Sequence, residues 1–119
     1  MQTIDEAGRG VITFVSDVPW KSTILISSKK GAKRANHYHT TDTHLMHIIS
    51  GSARYVERGI DKEYGYEVDR VVGPGDQILT GPGVPHAMEF LEDSLMLVLS
   101  INERNPDQYL KEIVPCKIL

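Results

Sequence analysis

Short apolar runs alternate along the chain with glycine and proline at nearly regular intervals. Gly or Pro falls at 8–10, 19, 31, 51, 59, 65, 73–75 and 81–85. Between these lie "VITFV" at 11–15, "STILISS" at 22–28, "HLMHIIS" at 44–50 and "SARYVER" at 52–58. Further on come "YGYEVDRVV" at 64–72, "DQILT" at 76–80, "HAMEFL" at 86–91 and "SLMLVLSI" at 94–101. β-branched and aromatic residues bounded by turn formers read as strands. Many short strands at this spacing predict an all-β barrel or sandwich. Gly51, between two runs, predicts a tight hairpin, and "VGPGD" at 72–76 predicts another turn. The pattern changes at "NPDQYLKEI", residues 105–113. Asn105 suits an N-cap, Pro106 the first helical position, and Asp107 the positive end of the helix dipole. One short C-terminal helix, packed on the outside of the barrel, is predicted there.

Composition narrows the class. The 119 residues fit a single domain, 1–119, and 40% hydrophobic content is enough for one core. With a net charge of −3, nothing in the charge balance points to nucleic acid or a membrane surface. The basic run "KKGAKR" at 29–34 has no interleaved aromatic and reads as a solvated turn. Cys116 stands alone, so no internal disulfide forms, and its apolar surroundings beside Pro115 predict a packed thiol. The N-terminal stretch carries no apolar run of the signal-peptide kind, and no run approaches a membrane span. A cytoplasmic protein is expected.

The histidines change the picture most. Three of the five fall in "NHYHTTDTH" at 36–44. On a strand, His37 and His39 point to one face and Tyr38 to the other. Two imidazoles one strand step apart can chelate a single ion. A hairpin-like return through "TTDT" is expected to bring His44 beside them. His86 follows "GPGVP", where Pro85 restrains the backbone before the imidazole. His47 has the opposite parity to His44, so it should face away as a structural or interface histidine. No Gly-rich phosphate loop or dinucleotide fingerprint is present. Glu89 has the wrong parity for a cavity, and Glu103 with Arg104 reads as a solvated pair. Tyr55, Tyr64 and Tyr66 are packing residues first and phenol donors second.

These residues carry a family resemblance. Residues 31–51 resemble the first cupin motif: Gly31, five residues, His37-x-His39, four residues, a ligand position, six residues, then Gly51. Residues 75–86 resemble the second, from Gly75-Asp76 through Gly83 to His86. The resemblance implies a small cupin barrel of the jelly-roll (double-stranded β-helix) type. It places metal ligands at His37, His39, His44 and His86, holding one divalent first-row transition metal: Zn, Fe, Ni, Mn or Cu. His44 stands where the family usually has glutamate, which makes the site neutral rather than singly negative. Imidazoles suit Zn, Cu, Fe and Ni better than Mg or Ca. Gly81 occupies the second motif's usual proline position, and Phe90 a position where asparagine is common. Met46 and Ile48 share the face of His44, and Met88 and Phe90 that of His86, so these four are expected to line an apolar cavity.

Two further stretches, "KGAKRANHYH" and "INERNPDQYLKEIV", are similar to cupin segments of bacterial surface-polysaccharide biosynthesis proteins. That similarity implies a sugar or nucleotide-sugar substrate and carbohydrate metabolism. Three activities are carried forward: a metal-dependent isomerase or epimerase with the ion as Lewis acid, an iron-dependent dioxygenase or lyase, and a non-catalytic metal- or ligand-binding module. No catalytic acid or base is identified. Four protein ligands leave two positions on a six-coordinate ion and none on tetrahedral Zn. The resemblance also implies a homodimer. Trp20, beside Pro19, is a candidate anchor for it, or else a cap on the barrel end.

Overall fold

Burial along Ser94–Ser100 shows why the apolar runs become strands. Ser94, Met96, Val98 and Ser100 are buried, while Leu95, Leu97 and Leu99 between them are half-buried. One face packs inward and the other outward, the period-2 signature of a sheet with one covered side. The computed structural model describes residues 2–59, 67–105, 107 and 111–119. In chain order the strands are β1 (Gln2–Glu6), β2 (Gly10–Phe14), β3 (Ser22–Ser28), β4 (Lys33–His39), β5 (His44–Ser50) and β6 (Ala53–Arg58). They continue as β7 (Glu67–Val72), β8 (Gln77–Thr80), β9 (His86–Phe90), β10 (Ser94–Ser100) and β11 (Ile113–Pro115).

The strands form a jelly-roll of antiparallel sheets. One has four strands in the order β3-β10-β5-β8, and the other five in the order β11-β4-β9-β6-β7. β1 and β2 make a separate two-stranded ribbon. The core lies between the two larger sheets. Met46, Ile48, Ile78, Met96 and Val98 come from one, and Ala53, Tyr55, Val72, Met88 and Phe90 from the other. The Tyr55 hydroxyl is satisfied inside this core, 2.8 Å from Thr80 Oγ1 and donating to Glu57 Oε1 at 2.5 Å. Packing is therefore what this tyrosine does.

Topology corrects two local expectations. Gly51 does not close a hairpin: β5 pairs with β10 and β8, whereas β6 pairs with β7 and β9. The chain crosses from one sheet to the other there, because each sheet must bury its apolar face on the opposite layer. Gly51 has φ 85, and a Cβ on it would lie 2.1 Å from Ser94 Oγ and 2.5 Å from the Asp93 carbonyl oxygen. Glycine is required by both conformation and space. Likewise β4 and β5 do not pair, so His44 reaches the other histidines from across the barrel rather than from a neighbouring strand.

The run at 29–34 is only partly a turn. Lys30 and Gly31 turn, and β4 begins at Lys33. β1 and β11 had no apolar signature to announce them. The predicted helix at 105–113 rests on Pro106 and residues 108–110, which lie outside the described residues. Asp107, Lys111 and Glu112 are helical. At Ile113 the backbone is strand and pairs with His39. Tyr64 and Tyr66 also lie outside the described residues. Cys116 is free and half-buried. Among the described residues no helix is long and apolar enough to cross a membrane.

Candidate metal centre

β4, β5 and β9 position four imidazoles at one end of the barrel. His37 and His39 alternate on β4, His44 opens β5, and His86 opens β9. All four are buried. The ring centroids of His37 and His39 are 4.8 Å apart, those of His37 and His86 5.0 Å, and those of His39 and His44 4.9 Å. His44 and His86 stand 5.2 Å apart across the gap between the sheets. Ring nitrogens of His37, His39 and His86 lie within 4.8 Å of one another, and an overlapping set joins His39, Asp42 and His44 at the same spacing. His47 lies on the opposite face of β5, half-buried.

A bulge in β4 makes this possible. Ala35 pairs with Ala87, but His37 pairs with His86, so Asn36 is the extra residue. Ala35 and Asn36 both adopt left-handed φ, 66 and 53, a conformation that costs non-glycine residues energy and clusters at functional sites. The C-terminal segment holds the bulge. Ile118 and Leu119 donate backbone N–H groups to Asn36 Oδ1, and Cys116 N–H donates to the Asn36 carbonyl. The bulge also reverses side-chain parity upstream. Arg34 pairs with Met88 and lines the cavity, where strict alternation from His37 would have placed it outside.

The surroundings fix the imidazoles in a ligating form. Nδ1 of His39 is 2.5 Å from Glu112 Oε2, and Nδ1–H of His86 donates to the Val84 carbonyl at 2.9 Å. Holding one ring nitrogen this way frees Nε2 for the cavity, the arrangement usual around a metal ligand. His44 Nδ1 is buried and has no hydrogen-bond partner among the described residues. A buried polar atom without a partner is costly unless something absent from the protein atoms satisfies it. Burial and the neighbouring histidines push the His37 imidazole down to about 3 and that of His44 to about 2. Burial pushes His86 down to about 4, opposed by its bond to Val84. Burial raises the Glu112 carboxyl, but hydrogen bonds from His39 and from the amides of Asp42 and Thr41 outweigh it and hold the group low. Neutral imidazoles with oriented lone pairs fit a divalent first-row ion.

These shifts have a consequence for the metal-free protein. Between about pH 6.5 and the depressed values, the unfolded chain binds more protons than the folded one. Stability is therefore present above about pH 6.5 and falls as pH drops, by up to ~1.4 kcal/mol per pH unit for each such imidazole. Thermal denaturation of metal-free protein from about pH 7.5 to about pH 5 reads this directly. The midpoint should decline steadily below about pH 6.5, and a flat profile would contradict the buried neutral cluster.

The cavity above the histidines holds about 280 Å³. Ile26, Met46, Met88, Met96 and Val98 give it an apolar wall, and Lys33, Arg34 and Arg104 give it positive charge. Met46 and Met88 line it as expected. Ile48 and Phe90 share the predicted face but are not among the residues lining it; all four belong to the packed core. Arg104 is not a solvated partner of Glu103. Its guanidinium is 9% exposed and donates through Nε and Nη2 to Oδ2 of Asp42, which is fully buried. Asp42 Oδ1 accepts the Asn102 amide. Three contributors escaped sequence reading: Arg34, Asp42 and Glu112. Only Asp42, two residues before His44, had a local signal.

The sequence matches the family described as "Cupin domain" over residues 24–102. No curated protein matches the chain. Among solved structures, QdtA, a sugar 3,4-ketoisomerase from Thermoanaerobacterium thermosaccharolyticum in complex with TDP, is 18% identical with a TM-score of 0.72. That match covers 95% of this chain and 82% of the other. A variant of the same ketoisomerase is in complex with TDP-4-keto-6-deoxyglucose. dTDP-4-dehydrorhamnose 3,5-epimerase from Sulfolobus tokodaii is 22% identical, with a TM-score of 0.67 over 88% of this chain and 69% of that one. The capsular polysaccharide assembling protein CapF from Staphylococcus aureus is 18% identical, with a TM-score of 0.68 over 81% of this chain. The match spans only 26% of CapF. At these identities the likeness is one of fold.

Proposed function

Since the chain belongs to the cupin domain family, we propose that it is a metal-dependent sugar isomerase or epimerase. In this reading His37, His39, His44 and His86 hold one divalent first-row ion. The observation that carries it is the convergence of four buried imidazoles on a cavity whose wall bears Lys33, Arg34 and Arg104. That wall suits an anionic substrate, because guanidinium groups bind phosphate oxygens strongly and in defined geometry. The similarity to a ketoisomerase holding TDP and to a deoxysugar epimerase supports a nucleotide-linked keto sugar.

Isomerising or epimerising such a sugar requires a proton to leave the carbon next to the carbonyl. A bound ion would supply Lewis acidity at the carbonyl oxygen. The apolar wall of Ile26, Met46, Met88, Met96 and Val98 excludes water from the reacting carbons, which strengthens every charge interaction there. Asp42 fixes Arg104, so its positive charge is in place before the substrate arrives.

One observation favours a second reading of the same site. His37, His39 and His86 come from one sheet, whereas His44 faces them from the other sheet with Nδ1 unpartnered among the described residues. Three imidazoles then hold the ion, and His44 takes the substrate proton. Among the described residues lining the cavity no carboxylate is present, so an imidazole is the natural acceptor.

The test combines elemental analysis of protein purified without a tag with NMR detection of deuterium uptake from D2O into TDP-4-keto-6-deoxyglucose. About one first-row metal per chain and exchange beside the carbonyl are expected. His44→Gln separates the two readings: loss of metal and exchange together supports four ligands, and loss of exchange alone supports His44 as the base. Wild-type protein with neither stoichiometric metal nor exchange would sink both.

A further inference from the structure

His44 sits in a row of hydroxyls. The register of the four-stranded sheet sets Ser100 of β10 opposite His44 on one side and Thr80 of β8 opposite it on the other, with Ser22 of β3 beyond Ser100. Residues directly opposite in a sheet share a face. Ser100, His44 and Thr80 are all buried, so the row faces the interior. Ser22 Oγ accepts the Arg104 amide at 2.7 Å, and Thr80 Oγ1 lies 2.8 Å from the Tyr55 hydroxyl. Two atoms of the row are left over. Ser100 Oγ and His44 Nδ1 are buried with no hydrogen-bond partner among the described residues. One such atom is costly, and two on directly opposed residues call for a common cause.

The ladder puts the two within reach of each other. The Ile101 amide donates to the Thr43 carbonyl at 3.1 Å, so these two residues form a hydrogen-bonded pair. Ser100 and His44, next along the ladder, are then a non-hydrogen-bonded pair, the kind whose side chains lie closer together. Rotation about the Ser100 Cα–Cβ bond carries its hydroxyl among the staggered positions. The other imidazoles show what such a pair does. Glu112 holds His39 through Nδ1, and the Val84 carbonyl holds His86 through Nδ1. An imidazole offers the cavity one nitrogen only, so Nδ1 of His44 needs a partner whether Nε2 meets an ion or a substrate proton.

We infer that Ser100 is the positioning residue for His44: its Oγ accepts the hydrogen of Nδ1, fixes that tautomer and aims the Nε2 lone pair into the cavity. Ser100 thus does for His44 what Glu112 does for His39 and the Val84 carbonyl for His86. Each of the two leftover atoms satisfies the other. The inference rests on the reading that makes His44 a working member of the site. It holds equally for His44 as fourth ligand and for His44 as base, because both need Nε2 free and the ring fixed.

Long-range proton–nitrogen correlation spectra of the metal-free full chain, nitrogen-labelled at histidine, read the tautomer directly. Wild-type His44 should carry its hydrogen on Nδ1 alone, and loss of the signal in His44→Gln identifies it. In Ser100→Ala, which removes one atom from a packed site, the signal should shift toward a mixture of both tautomers. Ser100→Thr keeps the hydroxyl and should restore the wild-type pattern. Ser94→Ala is the control. Ser94 is buried on the same face of β10 but donates to the Glu92 and Ser52 carbonyls, so its loss should leave the His44 signal in place. Competition against a chelator should show Zn(II) held ~10-fold more weakly by Ser100→Ala. Hydrogen on Nε2 of wild-type His44, or a Ser100→Ala signal identical to wild type, overturns the inference. A wild type that binds no Zn(II) yet loses its Nδ1–H tautomer in Ser100→Ala supports the inference and removes the metal centre instead.

Discussion

His39→Ala is expected to lower the affinity for Zn(II) or Fe(II) by ~10²–10³-fold. A complete four-ligand site is worth ~10–16 kcal/mol, so each ligand carries roughly a quarter of that. His39 has the rings of His37, His44 and His86 around it and Glu112 behind it. Glu112→Gln should cost less, ~10–100-fold, because the ligand stays and only its orientation and basicity suffer. His44→Glu should keep binding but move preference toward harder ions, since a carboxylate replaces an imidazole. His47→Ala, on the outer face of β5, should change nothing. Competition against a chromophoric chelator at fixed pH measures all four variants. Wild-type affinity in both His39→Ala and Glu112→Gln would falsify the metal centre as drawn.

Strand alternation encodes the direction of some of these side chains and not of others. Period-2 patterning places His37 beside His39 on one face of β4 and sends His47 away from His44, because side-chain direction on a strand is a local property. It fails at Arg34, where the Asn36 bulge inserts one residue and flips the parity of everything upstream. It fails again at Glu112, 73 residues from the imidazole it touches. There the contact depends on β11 pairing with β4, and three residues of strand give no pattern to read. Gly51 shows the same limit from the other side. The glycine and its turn are legible, but whether the chain turns within a sheet or between sheets depends on which layer covers which. Ile48 and Phe90 share parity with Met46 and Met88, yet only the two methionines line the cavity, because parity fixes the face a side chain takes and not its position along the strand.

Asp42→Ala is expected to destabilise the fold by ~3–5 kcal/mol, the cost typical of removing one partner from a buried ion pair. "TTDT" reads as a polar turn, but the Asp42 side chain is fully buried and accepts Nε and Nη2 of Arg104 and the Asn102 amide. Without the carboxylate, the buried Arg104 guanidinium loses its ion pair with Asp42. For a chain of this size that corresponds to a fall in melting temperature of ~10–20 °C. The segment is also a junction. The Thr41 and Asp42 amides donate to Glu112 Oε1, Asn102 Nδ2 donates to Thr41 Oγ1, and the Ile101 amide donates to the Thr43 carbonyl. Loosening it frees both Glu112, which orients His39, and the start of β5, which carries His44. Metal affinity should therefore fall in Asp42→Ala even at temperatures where the protein remains folded. Adding Arg104→Met should restore most of the stability, because the buried charge is gone and an apolar chain of similar reach takes its place. It should not restore binding of an anionic substrate, since the cavity has lost its fixed cation. A double variant no more stable than Asp42→Ala would mean that the buried pair is not the source of the loss. Calorimetry on the two single variants and the double variant decides between these outcomes.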